Sequence, residues 1–152
     1  MITYTKAKLS DIALMQEVVK PEVEKGIILF RSSDEMATNI RSYILAKQEN
    51  AIVGFGALHF HADDLAEVRS LVVKDGFRGS GIGKGIVQAL LNEGEAMGVK
   101  KVFTLTYQKP FFESVGFSEI PKESLPSHKI WADCIKCKHF PICDEIALIK
   151  TI

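Results

Sequence analysis

No run of apolar residues in this 152-residue chain approaches the length of a membrane span. The opening residues, MITYTKAKLSD, lack the apolar stretch of a secretory leader, so a cytoplasmic location is expected. Neither sign of charge is in excess: 19 Lys and Arg stand against 19 Asp and Glu. Without a basic surplus or a Lys/Arg-rich block, nucleic acid and anionic membrane are unfavoured partners. Cysteine is scarce, and the three present fall between Cys134 and Cys143. An odd number in one cluster does not read as a secreted disulfide framework. What is present is ordinary globular material, 47% hydrophobic and 25% charged, of a length that suits one domain over residues 1–152.

Glycine, by contrast, is concentrated where it carries meaning. Residues Ala66 to Val73 (AEVRSLVV) read as a strand ending at the turn Lys74-Asp75-Gly76. Arg78-Gly79-Ser80-Gly81-Ile82-Gly83-Lys84-Gly85 follows, with glycine at every second place from 79. Such spacing removes side chains where the backbone turns tightly and lets main-chain N–H groups approach a ligand. The apolar residues Ile82, Ile86, Ala89, Leu90 and Met97 then recur mostly at helical spacing. The glycine turn is therefore expected at a helix N-terminus, a receptor for phosphate or pyrophosphate, or else it is a connection with no ligand. A P-loop is excluded, because Arg78 and Gly85 occupy its obligatory Gly and Ser/Thr places, and a dinucleotide fingerprint fails at Lys84 or Ile86. The pattern that does fit is Arg-x-x-Gly-x-Gly, which resembles the acetyl-coenzyme A pyrophosphate loop of the GCN5-related N-acetyltransferases (GNAT).

From the N-terminus, Ile2 to Ala7 is a plausible first strand. Ser10 reads as the N-cap of a helix from Asp11 to Val19 that Pro21 closes. Lys25 to Phe30 (KGIILF) is too apolar for a solvated connection and is expected to cover something. Arg31 comes next, either a surface charge or a site residue, and Ser32-x-x-Glu35 is a capping box for a second helix to about Ser42. Tyr43 to Lys47 and Ala51 to Phe60 read as a hairpin turning at Gln48-Glu49-Asn50, with Gly54 and Gly56 placed for a bulge or close contact. His59 and His61 end the second of these strands. Alternation along the next strand puts Glu67, Arg69, Leu71 and Val73 on one face and Val68, Ser70 and Val72 on the other. Glu67 and Arg69, about 7 Å apart along the strand, form either an ordinary ion-paired face or a proton acceptor beside an anion receptor. Gly98 ends the central helix, and Lys101 to Tyr107 is a strand expected parallel to the one at Ala66.

Pro110 starts a short helix, and Phe-Phe-Glu-Ser-Val-Gly-Phe from Phe111 resembles the second GNAT signature. The family commonly has an acidic Tyr at the place of Phe112, so protonation of the leaving thiolate falls to Tyr107, Ser114 or water. Beyond Ile120, Cys134-x-x-Cys137 and Cys143 lie near His128 and His139, a set that reads as a zinc site or as metal-free loop thiols. Glu145 to Ile149 resumes as a final strand. The runs at Ala57 to His59, Leu65 to Leu71, Leu105 to Gln108 and from Lys129 resemble short single-domain N-acetylglutamate synthases.

The resemblance implies an α/β (α+β) GNAT fold, with a mixed, mostly antiparallel sheet of about six to seven strands and about four helices, splayed where acetyl-CoA binds. It implies an acetyl-CoA-dependent N-acetyltransferase of arginine biosynthesis that acts on the α-amine of a small amino acid, glutamate first. Glu67 is then the proton acceptor, and a backbone N–H at Leu71 or Val72 receives the oxyanion. The cofactor would lie along Leu71, Val72 and Val73, over Arg78, Gly79, Ser80, Gly81, Ile82, Gly83 and Lys84, and against Phe112. Arg31, Arg69 and His59 are the candidates for substrate contacts, guanidinium being the natural receptor for carboxylates. With no cysteine in these motifs, direct transfer in a ternary complex is expected. A peptide N-acetyltransferase and a non-catalytic acyl-CoA sensor stay open as alternatives, and a homodimer as an assembly.

Overall fold

The computed structural model describes residues 1–125 and 145–152. Cys134, Cys137, Cys143, His128 and His139 lie outside them, and with them the zinc question. Among the described residues, seven strands form one sheet: β1 (Ile2–Lys6), β2 (Tyr43–Gln48), β3 (Ala51–Ala62), β4 (Leu65–Val73), β5 (Lys101–Thr106), β6 (Ser118–Ile120) and β7 (Ile146–Thr151). Their order across the sheet is β1-β2-β3-β4-β5-β7-β6, antiparallel throughout except between β4 and β5. Four α-helices accompany them: α1 (Ile12–Glu24), α2 (Ser33–Thr38), α3 (Ile82–Ala96) and α4 (Lys109–Ser114). No helix among the described residues is long and apolar enough to cross a membrane.

Apolar cores on both faces hold the layers, with a smaller third cluster around Phe103, Leu125 and Ala147. On one face the central helix α3 lays Ile82, Ile86, Val87 and Leu90 against Ala66, Val68 and Val102 of the sheet. On the other, Met15 of α1 and Met36 of α2 pack with Tyr43, Phe55 and Val72. Gly54 and Gly56 serve close packing: a Cβ at Gly54 would stand 2.8 Å from the Val72 carbonyl oxygen, and one at Gly56 3.0 Å from Ile86. The hairpin between β2 and β3 turns on Glu49 and Asn50, whose φ angles of 50° and 71° suit the right-handed twist of the strands.

Several boundaries differ from the sequence expectation. Helix α1 runs through Pro21 to Glu24, since proline's fixed φ is helical and the helix loses one donor while Lys25 N–H still reaches the Pro21 carbonyl. Ser10 sits in a 3-10 turn, and it is Asp11 that precedes α1, with its carboxylate accepting from Lys8 N–H at 2.8 Å. Ser32 does cap α2, accepting from Glu35 N–H, but that helix ends at Thr38 and a separate 3-10 turn spans Ile40–Ser42.

The most consequential difference is in β4. Opposite β3 the pairing passes from Ala57↔Arg69 to Phe55↔Val72, so β4 spends one extra residue there. Ser70, with φ of 58°, is the residue that absorbs it. The alternation inverts as a result. Leu71 and Val73 pack with Ala66 and Val68 on the α3 side, whereas Val72 belongs to the other core. Glu67 and Arg69 therefore share their face with Val72, not with Leu71 and Val73 as strict alternation would have it. A left-handed backbone at a residue with a side chain costs about 1–3 kcal/mol, more for a β-branched one. Ser70→Val is accordingly expected to lower stability by about 2 kcal/mol, and Ser70→Gly to leave it nearly unchanged, as thermal melts would read.

Candidate functional site

The parallel partners β4 and β5 stay together over only three pairs, Leu65↔Lys101 to Glu67↔Phe103. There Thr104 Oγ1 donates to the Val68 carbonyl at 2.8 Å, tying the strands at the last point where they are close. Beyond it they part. A cleft of about 890 Å³ opens between them, bounded by the glycine turn and by the apolar segment after α1. That segment, Ile27 to Phe30, lines the cleft as the sequence suggested it would.

The glycine turn meets the cleft at the N-terminus of α3. Gly79 and Gly81 have φ of 81° and 85°, and a Cβ at either would touch nothing within 4 Å. Their glycines thus answer a backbone need and leave open space on which a ligand's phosphates can lie against the helix N–H groups. Gly81→Ala is expected to cost about 1–2 kcal/mol through φ alone and to weaken binding of coenzyme A several-fold, measured by calorimetry on a variant that still folds. Gly83 is placed otherwise, since a Cβ there would stand 3.2 Å from the Phe111 ring. Gly85 faces the Tyr4 hydroxyl and belongs to the packing of α3 on β1.

Arg78 lines the cleft and is also tied to the elements around it. Its Nε donates to the Val73 carbonyl at 3.0 Å and its guanidinium pairs with Glu22 near the end of α1, with Asp75 at 3.5 Å. It joins the end of β4, the loop and α1, and in doing so fixes the mouth of the cleft. Lys84, Gly79, Gly81 and Gly83 line the cleft, as do Leu71, Val72, Val73 and Phe112. Ser80 and Ile82 do not line it: the Ser80 hydroxyl turns back to the Phe77 carbonyl, and Ile82 is core.

Glu67 lies at the last β4–β5 pair, is 1% exposed, and lines the cleft. Its Oε1 is 2.9 Å from His61 Nε2. Arg69 and Arg31 line the same cleft. Arg31 is no surface charge: its side chain is 9% exposed, its Nη1 donates to Glu35 at 2.9 Å, and its carbonyl accepts from Gln16 at 3.3 Å. Tyr43 registers both arginines. Burial pushes its phenol above the ordinary tyrosine range, opposed by Arg31 and then Arg69, whose charges favour the phenolate. A phenol raised on folding contributes stability below its unfolded value and loses it as pH rises through the folded one. Tyr43→Phe is thus expected to flatten the fall of melting temperature above about pH 10.

The remaining candidates divide. Tyr107 lines the cleft, at the end of β5. Ser114 does not, and its hydroxyl donates to the Phe111 carbonyl, so it is out of reach as an acid. Phe112, 3% exposed, packs edge-on against Phe117 at 5.3 Å and forms apolar wall. His59 stands opposite Glu67 in the ladder but does not line the cleft, and the histidine on the carboxylate is His61. Sequence reasoning missed His61, because the register shifts between Phe60 and Ala62. Among the described residues no group of three or more His, Cys, Asp or Glu is placed to hold a metal ion.

Comparison with known proteins gives this geometry relatives. Residues 12–117 match the acetyltransferase (GNAT) family model. The chain is 38% identical over 149 residues to an uncharacterized N-acetyltransferase of Chlorobaculum tepidum, covering 96% of this chain and 94% of that protein. It is 28% identical over 129 residues to the amino-acid acetyltransferase of Pasteurella multocida, covering 84% of this chain but 29% of that longer protein. Its fold superposes on the N-acetylglutamate synthase of Neisseria gonorrhoeae, complexed with coenzyme A and N-acetyl-glutamate, with a TM-score of 0.89 at 20% identity, over 99% of this chain and 35% of that one. The Rv2747 protein of Mycobacterium tuberculosis, in a complex with coenzyme A, superposes with a TM-score of 0.85 at 22% identity over 99% of both chains.

Proposed function

The chain belongs to the GNAT family of acetyltransferases, and from that premise we propose that it transfers an acetyl group from acetyl-CoA to the α-amine of a free amino acid, L-glutamate, as a step of arginine biosynthesis. One observation carries the reading: a buried carboxylate, Glu67, shares a cleft with two arginines and a glycine-rich helix N-terminus. The residues fit a pyrophosphate-bearing thioester, because the cradle at Gly79 and Gly81 is open where a Cβ would stand and Lys84 adds positive charge beside it. Bound acetyl-CoA supplies the activated carbonyl and the thiolate leaving group.

Everything else falls to side chains and backbone of this chain. Glu67 takes a proton from the acceptor's ammonium, directly or through one water, freeing the amine to attack. A backbone N–H at Leu71 or Val72, re-aimed by the extra residue at Ser70, donates to the developing oxyanion. Arg69 and Arg31 hold the acceptor's carboxylates, and their fixed forks set which way its amine faces. Tyr107, which lines the cleft, returns a proton to the departing thiolate in this reading, since Phe112 has none to give and Ser114 lies outside the cleft. The likeness to amino-acid acetyltransferases and the pair of arginines support glutamate over other amines.

The test is thiol release from acetyl-CoA against a panel of free amino acids and short peptides. Turnover with glutamate, and little with neutral amino acids, is the expected result. Turnover confined to peptides would move the acceptor to a protein N-terminus. Tight coenzyme A binding with no turnover on any amine would make the chain a sensor and overturn the enzymatic reading.

A further inference from the structure

We infer that His61 is a positioning residue for the base: it keeps the buried Glu67 ionised and aimed into the cleft, so that the pair, not the carboxylate alone, sets the pH at which the enzyme begins to work. The inference rests on the proposed role of Glu67. It starts from a problem of solvation. A carboxylate 1% exposed has lost its water, and desolvation alone drives such a group toward the neutral form, which cannot accept a proton. Something must offset that. His61 Nε2, with its own side chain only 3% exposed, lies 2.9 Å from Glu67 Oε1. A ring N–H donated there stabilises the charged form and fixes the direction of the carboxylate.

The ring is held from two sides. His59 meets it edge-on with centroids 4.8 Å apart, and Phe103 of β5 lies against it at 5.2 Å. Both neighbours are on the strands that flank β4, so the sheet itself sets the ring's orientation. Other groups bear on Glu67 and belong in the reckoning. His59 lies directly across the ladder, Arg69 is two residues along the same strand, and β5 presents uncharged Phe103 and Thr104. His61 is in hydrogen-bond contact with the carboxylate.

The experiment compares the pH dependence of kcat/KM in the full chain with that of His61→Leu and His61→Gln. Leu fills the space but offers no donor. Gln keeps an N–H able to reach Glu67 but cannot carry charge. His61→Leu is expected to move the acid limb of kcat/KM upward by about one pH unit or more and to lower turnover near neutral pH about tenfold, with KM for acetyl-CoA unchanged. His61→Gln is expected to restore most of both. An acid limb unmoved in His61→Leu, in a variant that still binds coenzyme A, would overturn the inference, as would a Gln variant no better than Leu. Should His61→Leu fail to fold, the Gln variant and His59→Leu decide: the inference requires the limb to stay near its native place in Gln and to shift when His59 no longer braces the ring. Glu67→Gln separates the two readings, since full activity there would remove the base itself, whereas an inactive Glu67→Gln beside an unshifted His61→Leu would remove only the histidine's role.

Discussion

Replacing Glu67 with Gln is expected to lower kcat about 100-fold or more, with KM for acetyl-CoA little changed. The size follows from what the side chain is asked to do. An α-ammonium is mostly protonated at neutral pH and cannot attack a thioester until it sheds a proton. A positioned acceptor for that proton contributes about 10²–10⁴ in rate. Gln fills the same volume and can still bond to His61, so the change deletes the base and spares the packing around it. Steady-state kinetics at several pH values check it, and the residual rate of the variant should rise with pH as the free amine becomes available without help. A variant with native turnover would remove Glu67 from the reaction.

Arg69→Ala is expected to raise the apparent KM for glutamate about 10- to 100-fold while moving KM for acetyl-CoA much less. A charge-assisted pair with a carboxylate is worth about 1.5–3 kcal/mol, and truncating one member forfeits most of that for a substrate that relies on it. Arg31 should behave similarly, with an added cost to stability, because its guanidinium also pairs with Glu35 at 2.9 Å beside the start of α2. Lysine at either place is expected to restore only part of the affinity, for want of the planar fork. Assays against glutamate, glutamine and a neutral amino acid in the same variants resolve the point. Loss of discrimination between glutamate and glutamine would identify the arginine that reads the side-chain carboxylate.

The parts of this site that rest on local chemistry were legible in the residues. The glycines at 79 and 81 announce a left-handed turn at a helix start, and they sit there with φ of 81° and 85°. Glu67 and Arg69 share a cleft because two residues along a strand return to the same face. The apolar run before Arg31 signalled a covering segment because no solvated loop needs so many aliphatic side chains. What escaped was set by pairing between strands. The shift at Ser70 has no glycine to mark it, and the shift after Phe60 is what gives Glu67 His61 as its partner while His59 stands opposite in the ladder. Ser114 entered as a candidate acid because Phe112 has no proton to give, yet a serine in a short helix commonly bonds a carbonyl within its own turn, as it does here with Phe111. Pro21 read as a stop because the rule is statistical, and a helix packed on a sheet through Met15 survives one missing bond.

The extra residue at Ser70 gives β4 a rule of parity. Each side chain beyond it points where it does because an odd number of residues has been spent against the partner strand. Removing a single residue between Arg69 and Val72 would restore even counting, with Val72 two places from Arg69 and still on its face, so the side chains beyond would keep their present cores. Losing Ser70 would therefore erase the extra residue and its left-handed backbone alone, and leave the packing on both faces in place. A chain shortened by Ser70 ought to fold with its cores intact, and its activity would report what the re-aimed backbone contributes apart from them.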